Sequence, residues 1–233
     1  MESTDPDSTE VEEAEDGELG QYAPALLAAE HWNLLAARSL IWNDAQSRAS
    51  VFLTVLSAST IALALLADAT GFGAETRTVA LVLLPVVFLL GLAAYVRLVD
   101  VNTDEFQLVM AMNRLRHGYL ALEPGIGRYL TTGHHDDERG VFTTYMMGRP
   151  ARRAVWVEYL INMPTIVATV DAALAAVIAV LGLQAVNAPR AAAVAGGVAA
   201  FLLVWVVLYV SQRRILQPLS RQTARFPTPP DQS

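Results

Sequence analysis

The run TVALVLLPVVFLLGLAAYV, Thr78 to Val96, decides the fold: it carries no charged residue and stands immediately before Arg97. As a helix rising ~1.5 Å per residue it covers the ~30 Å hydrocarbon core of a bilayer. Three further stretches are of similar length: Ala49 to Leu66, Leu160 to Leu183, and Ala191 to Val210. Of these only Leu160 to Leu183 contains a charge, Asp171. The sequence therefore predicts an all-α polytopic membrane protein with four transmembrane helices and lipid as its main surroundings.

Arginine placement sets the expected orientation, because cytoplasmic flanks accumulate basic residues. Only Arg77 and Arg190 fall in the two short loops that close the hairpins, against 14 Arg elsewhere, including Arg38, Arg48, Arg97, Arg149, Arg152, Arg153, Arg213 and Arg221. Both termini and the central segment are expected in the cytoplasm, so that the chain forms two membrane hairpins. Asp68 to Glu75, with two glycines, and Asn187-Ala-Pro189 supply the breakers that turn them. The start of the chain has neither a basic n-region nor an apolar h-region, so the first span is expected to direct insertion.

The net charge of −7 is concentrated at one end, since residues 1 to 20 hold nine acids and no base. That composition predicts a disordered, solvated tail. The expected divisions are then 1–20, acidic tail; 21–122, amphipathic helix, first hairpin and a cytoplasmic helix; 123–156, cytoplasmic loop; 157–212, second hairpin; and 213–233, a basic, Pro-rich tail. Cysteine is absent, which excludes thiol chemistry and disulfides. All 16 basic residues are Arg, which reads as the codon bias of a GC-rich bacterial genome, and the bacterial plasma membrane is the expected location.

Outside the spans, Leu26 to Arg48 contains neither Pro nor Gly and leads into the first span as a helix. After the second span, Leu108, Met112, Leu115, Tyr119 and Leu122 form an amphipathic stripe that must bury itself, on the helix before the first span or on another subunit. A homo-oligomer or a membrane-protein partner bound through these cytoplasmic helices is the expected assembly, with no nucleic acid. In the third and fourth spans, Ala168, Ala172 and Ala176, and Ala192, Gly196 and Ala200, have the spacing that lets helices approach closely. Pro85 and Pro164 are expected to kink their helices.

Two places could carry chemistry. Asp171 lies well inside the third span, where a carboxylate must face protein or water, and Ser57 and Thr60 on the first span are its candidate hydrogen-bond partners. It is either a proton- or cation-responsive group or a structural hydrogen-bond donor. The second place is the loop Gly133 to Gly140, where His134, His135, Asp136 and Asp137 are of metal-ligating type but lack the i, i+4 spacing of a helical metal site. A polar surface loop, a pH sensor and a metal site are the three readings of it. His31 and His117 are expected to pack or cap helices. No nucleophile elbow, phosphate-binding glycine loop or paired catalytic carboxylate is recognisable, so neither an enzyme nor a cofactor is expected.

The runs Arg38 to Asn43 and Arg48 to Ser57, with Asn113-Arg-Leu-Arg-His-Gly-Tyr119 and Gly133 to Gly140, resemble uncharacterised actinobacterial four-span integral membrane proteins. A cytoplasmic helix feeding a two-span hairpin is also similar, in architecture, to the SLATT-type membrane effectors, which are thought to oligomerise and breach membranes; this chain has four spans and no sensor domain. Together the residues and the resemblance lead to the expectation of an interaction, scaffold or regulatory protein, with an oligomeric ion- or proton-conducting pore using Asp171 as the alternative.

Overall fold

The structure is a computed structural model, and it describes residues 6–71, 73–146, 162–216 and 223–229. The expectations for Arg149, Arg152, Arg153 and Arg221, and for Leu160 and Ile161 as the start of the third span, lie outside them. Among the described residues every regular element is helical: α1 (Pro6–Thr70), α2 (Ala74–Leu122), a 3-10 turn (Pro124–Tyr129), α3 (Glu138–Met146), α4 (Met163–Ala185) and α5 (Arg190–Leu216). Four of them, α1, α2, α4 and α5, are long and apolar enough to cross a membrane. The chain is a multi-pass, all-helical membrane protein.

The described residues fall into two compact units. One is built from 40–105 and 162–216, the other from 6–39, 106–146 and 223–229. The divisions pass through the interiors of α1 and α2, because units are defined by which helix faces pack, whereas the sequence marks only where helices end. Residues 6–20 are helical and continuous with the rest of α1.

In the unit of 40–105 and 162–216, Ala45, Phe52, Val87, Tyr95, Leu98 and Val167 form a continuous buried core. Gly71 turns the first hairpin at φ +70°. Asn187, at φ 58°, turns the second. Around it the Ala188 N–H donates to the Leu183 carbonyl (3.0 Å) and the Asn187 N–H to that of Gln184 (3.1 Å), so α4 ends in a Schellman motif with Asn in the left-handed position. Close approach of α4 and α5 occurs at Gly197, where a Cβ would meet Val180 Cγ2 at 2.6 Å and the Ala176 carbonyl at 3.3 Å. The buried small residue before it is Ala193, while Ala192 is exposed. Gly196 of the expected Ala192, Gly196, Ala200 line also lies on this seam, where a Cβ would run into Leu183 of α4, while Ala192 falls outside it.

Pro164 does not kink a helix. Asn162 caps α4 by accepting the Thr165 N–H at 3.0 Å, and Pro164 sits in the first turn, where its missing N–H needs no partner. With α4 starting at Met163, Asp171 stands about 12 Å along it, nearer its start than a span beginning at Leu160 implies.

Candidate functional site

The unit containing the end of α2 is organised by a buried face of that helix which is partly polar. Val109, Met112, Asn113 and Arg116 are buried, whereas in the expected stripe Leu108, Leu115 and Tyr119 are half-buried and Leu122 is 49% exposed. Tyr119 donates its hydroxyl to the Leu27 carbonyl (3.0 Å) and stacks on His31, so the partner of this face within the unit is α1. The stripe thus packs on the helix before the first span, one of the two partners expected for it.

Asn113 and Arg116 hold the loop 133–137. Asn113 Nδ2 donates to the His135 carbonyl at 2.7 Å, and Asn113 Oδ1 accepts from Arg116 Nη1 at 2.7 Å and Thr144 Oγ1 at 2.9 Å. Burial, and then the charge of Arg38, push the Arg116 guanidinium below its ordinary value. The loop closes on itself at Gly140, where a Cβ would run into the His135 carbonyl. Asp137 caps α3, accepting the Gly140 N–H at 2.8 Å.

What the loop holds is the chain's own segment 223–229. The fully buried Asp136 carboxylate accepts the main-chain N–H groups of Phe226 (2.7 Å) and Arg225 (3.0 Å) and pairs with Arg114 Nε. The Asp136 N–H in turn donates to the Phe226 carbonyl at 3.2 Å. Asp137 accepts the Thr228 N–H at 3.0 Å and its hydroxyl at 2.8 Å. The Phe226 ring stacks on His117 with centroids 4.0 Å apart, and His134 and His135 lie at 6.3 and 6.4 Å from His117. Burial alone would raise both carboxyl groups. Arg114 and the Phe226 and Arg225 amides outweigh it for Asp136, and the Gly140 and Thr228 donors for Asp137, so both sit below the ordinary carboxylate value.

The four loop residues singled out in the sequence are thus together, but their carboxylates are engaged by donors and not free for a metal. Among the described residues no group of three His, Cys, Asp or Glu side chains is placed to hold one. Sequence reasoning missed the other half of the site, Asn113, Arg114, Phe226 and Thr228, together with the placement of His117. The signal available was that Asn113 to Tyr119 and Gly133 to Gly140 are both rich in polar residues, and the structure joins them.

Asp171 forms a separate site in the other unit. Its side chain is 0% exposed, packs against Gly91, which Phe52 also approaches, and has no hydrogen-bond partner on either oxygen among the described residues. Ser57 and Thr60 do not serve it. Each is exposed and donates to its own helix, to the Leu53 and Leu56 carbonyls at 2.8 Å, a local bond that costs no helix contact. Compared with known families, curated proteins and solved structures, the chain matches none.

Proposed function

We propose that this chain is an interaction or regulatory protein of the bacterial plasma membrane, with both termini in the cytoplasm, and that its working surface is the one that holds residues 223–229. The observation that carries the reading is the use of Asp136 and Asp137: their oxygens bind main-chain N–H groups of Arg225, Phe226 and Thr228. Main-chain recognition beside an aromatic anchor is how extended peptides are bound, the backbone giving affinity and one side chain giving selectivity. The segment 223–229 then acts as a resident occupant that a partner's extended segment displaces. Exposed Tyr22, Leu26 and Trp32 on α1 support a further protein contact, homo-oligomeric or with a membrane partner.

The test uses protein ending at residue 216 in nanodiscs, with a fluorescent peptide of residues 223–229. Saturable binding that is lost on Asp136→Asn and outcompeted by unlabelled peptide supports the reading; no binding to the shortened chain refutes it. A second reading, an oligomeric proton- or cation-conducting pore, is favoured by the unpartnered, buried Asp171 carboxylate. Flux into liposomes that is present in the wild type and absent in Asp171→Asn between pH 5 and 8 is its signature.

A further inference from the structure

Beside the loop that holds residues 223–229 lies a cavity of about 430 Å³, within the ~300–1,000 Å³ range of small-molecule sites. Its two sides differ in chemistry. Leu120 and Leu130 supply an apolar side, and Thr131, Thr132, His134 and Arg139 a polar one. No acid is among the residues that line it. Among the described residues the Arg139 guanidinium makes no ion pair and the Thr131 and Thr132 hydroxyls make no hydrogen bond, so all three are uncommitted donors.

Uncompensated positive charge adjoins this polar side. Arg116 is only 9% exposed, and its Nη1 donates to Asn113 Oδ1 at 2.7 Å and to the carbonyl of Gly133, a cavity residue, at 3.5 Å. Both acceptors are neutral, and among the described residues no carboxylate pairs with this guanidinium. A buried charge is ordinarily met by an opposite one, because taking it out of water unpaired is costly. The acids of the loop are committed elsewhere: Asp136 to Arg114 and the tail amides, Asp137 to the Gly140 N–H and Thr228. Glu138 is exposed and does not border the cavity.

We propose that this cavity is a binding site for a phosphate monoester, with the phosphate on Arg139, Thr131 and Thr132 and the organic part against Leu120 and Leu130. A guanidinium fork beside hydroxyl donors is the set that phosphate oxygens take, and its charge-assisted bonds are about twice as strong as neutral ones. Donors spread over two threonines and an arginine suit the three free oxygens of a phosphate better than the two of a planar carboxylate. The phosphate-holding side chains all fall within residues 131–139, so the inference goes beyond the tail-holding reading and does not depend on it.

The experiment uses the full chain in phosphatidylcholine nanodiscs at neutral pH, with inorganic phosphate as the probe and equilibrium dialysis of radiolabelled phosphate as the readout. Saturable binding is expected that acetate does not displace. It should weaken by about tenfold or more in Arg139→Gln and stay unchanged in Arg128→Gln, a nearby exposed arginine outside the cavity. Arg139 is exposed, so its replacement spares the fold, and Thr132→Val is a second variant expected to weaken binding. Adding phosphatidic acid to the nanodiscs separates the two sources of a phosphate monoester: competition assigns the site to a lipid headgroup, and undiminished binding to a soluble ester, either result supporting the site. Absence of saturable binding, or binding that Arg139→Gln and Arg128→Gln weaken equally, overturns it.

Discussion

Asp136→Asn removes one charge and keeps the shape of the side chain, and the structure sets how much that costs. The buried carboxylate holds two main-chain N–H groups and one guanidinium, Arg114. In the amide only one oxygen remains to accept, and the Nδ2 group must face either Arg225 N–H and Arg114 or Phe226 N–H, donor against donor. Charge-assisted bonds contribute about 1.5–3 kcal/mol each, and Arg114, 45% exposed, is re-solvated when its partner is lost. Docking of 223–229 should weaken by between about tenfold and about a hundredfold, at about 1.4 kcal/mol per tenfold. Trypsin reads this directly, because the Arg225–Phe226 bond is held by the loop in the docked form. When opening is fast relative to cleavage the cut tracks the open population. Cleavage between Arg225 and Phe226, followed by mass spectrometry at pH 8, should accelerate by at least about tenfold in Asp136→Asn. A change of less than threefold would refute the assignment of Asp136 as the residue that holds the tail.

Three further substitutions test the membrane-spanning helices. Gly91→Ala places a methyl group on Asp171 and within 2.7 Å of Phe52 Cε2, and should destabilise the protein by about 1–3 kcal/mol in thermal unfolding; adding Asp171→Ala should recover most of that loss. Gly197→Leu drives a side chain into Val180 and the Ala176 backbone, and should lower the unfolding temperature while the same change at exposed Ala192 does not. Tyr95→Phe removes the hydroxyl that donates to the Leu208 carbonyl and lies 3.1 Å from Ser211 Oγ, and should cost about 1 kcal/mol by the same assay.

The four spans were legible because each is an apolar run of bilayer length, a property of local composition alone. The hairpin turns were legible for the same reason, through Gly71 and Asn187. Helix starts were less so: Asn162 and Pro164 together spell an N-cap and first turn, yet inside an apolar run the proline reads as a kink. Helix rotation was not legible where small residues are consecutive, as at Ala191 to Ala193. The site was half legible. His134 to Asp137 stand out by residue type, but their role depends on Phe226 and Thr228, about ninety residues away, and no periodicity links an extended segment to the loop that holds it. Asn113 and Arg116 were masked differently, since a hydrophobic stripe searches for apolar residues and their buried face is satisfied by polar contacts.

The central claim is that Phe226 is seated on His117 beside the 133–137 loop of its own chain. Replacing Phe226 with p-benzoylphenylalanine in the full-length protein in nanodiscs and irradiating it at neutral pH tests this most directly. The structure predicts intramolecular adducts that map, after digestion, to residues 113–120 and 133–137, and that are lost in Asp136→Asn. Adducts found only on lipid, or only on other parts of the chain, would contradict it.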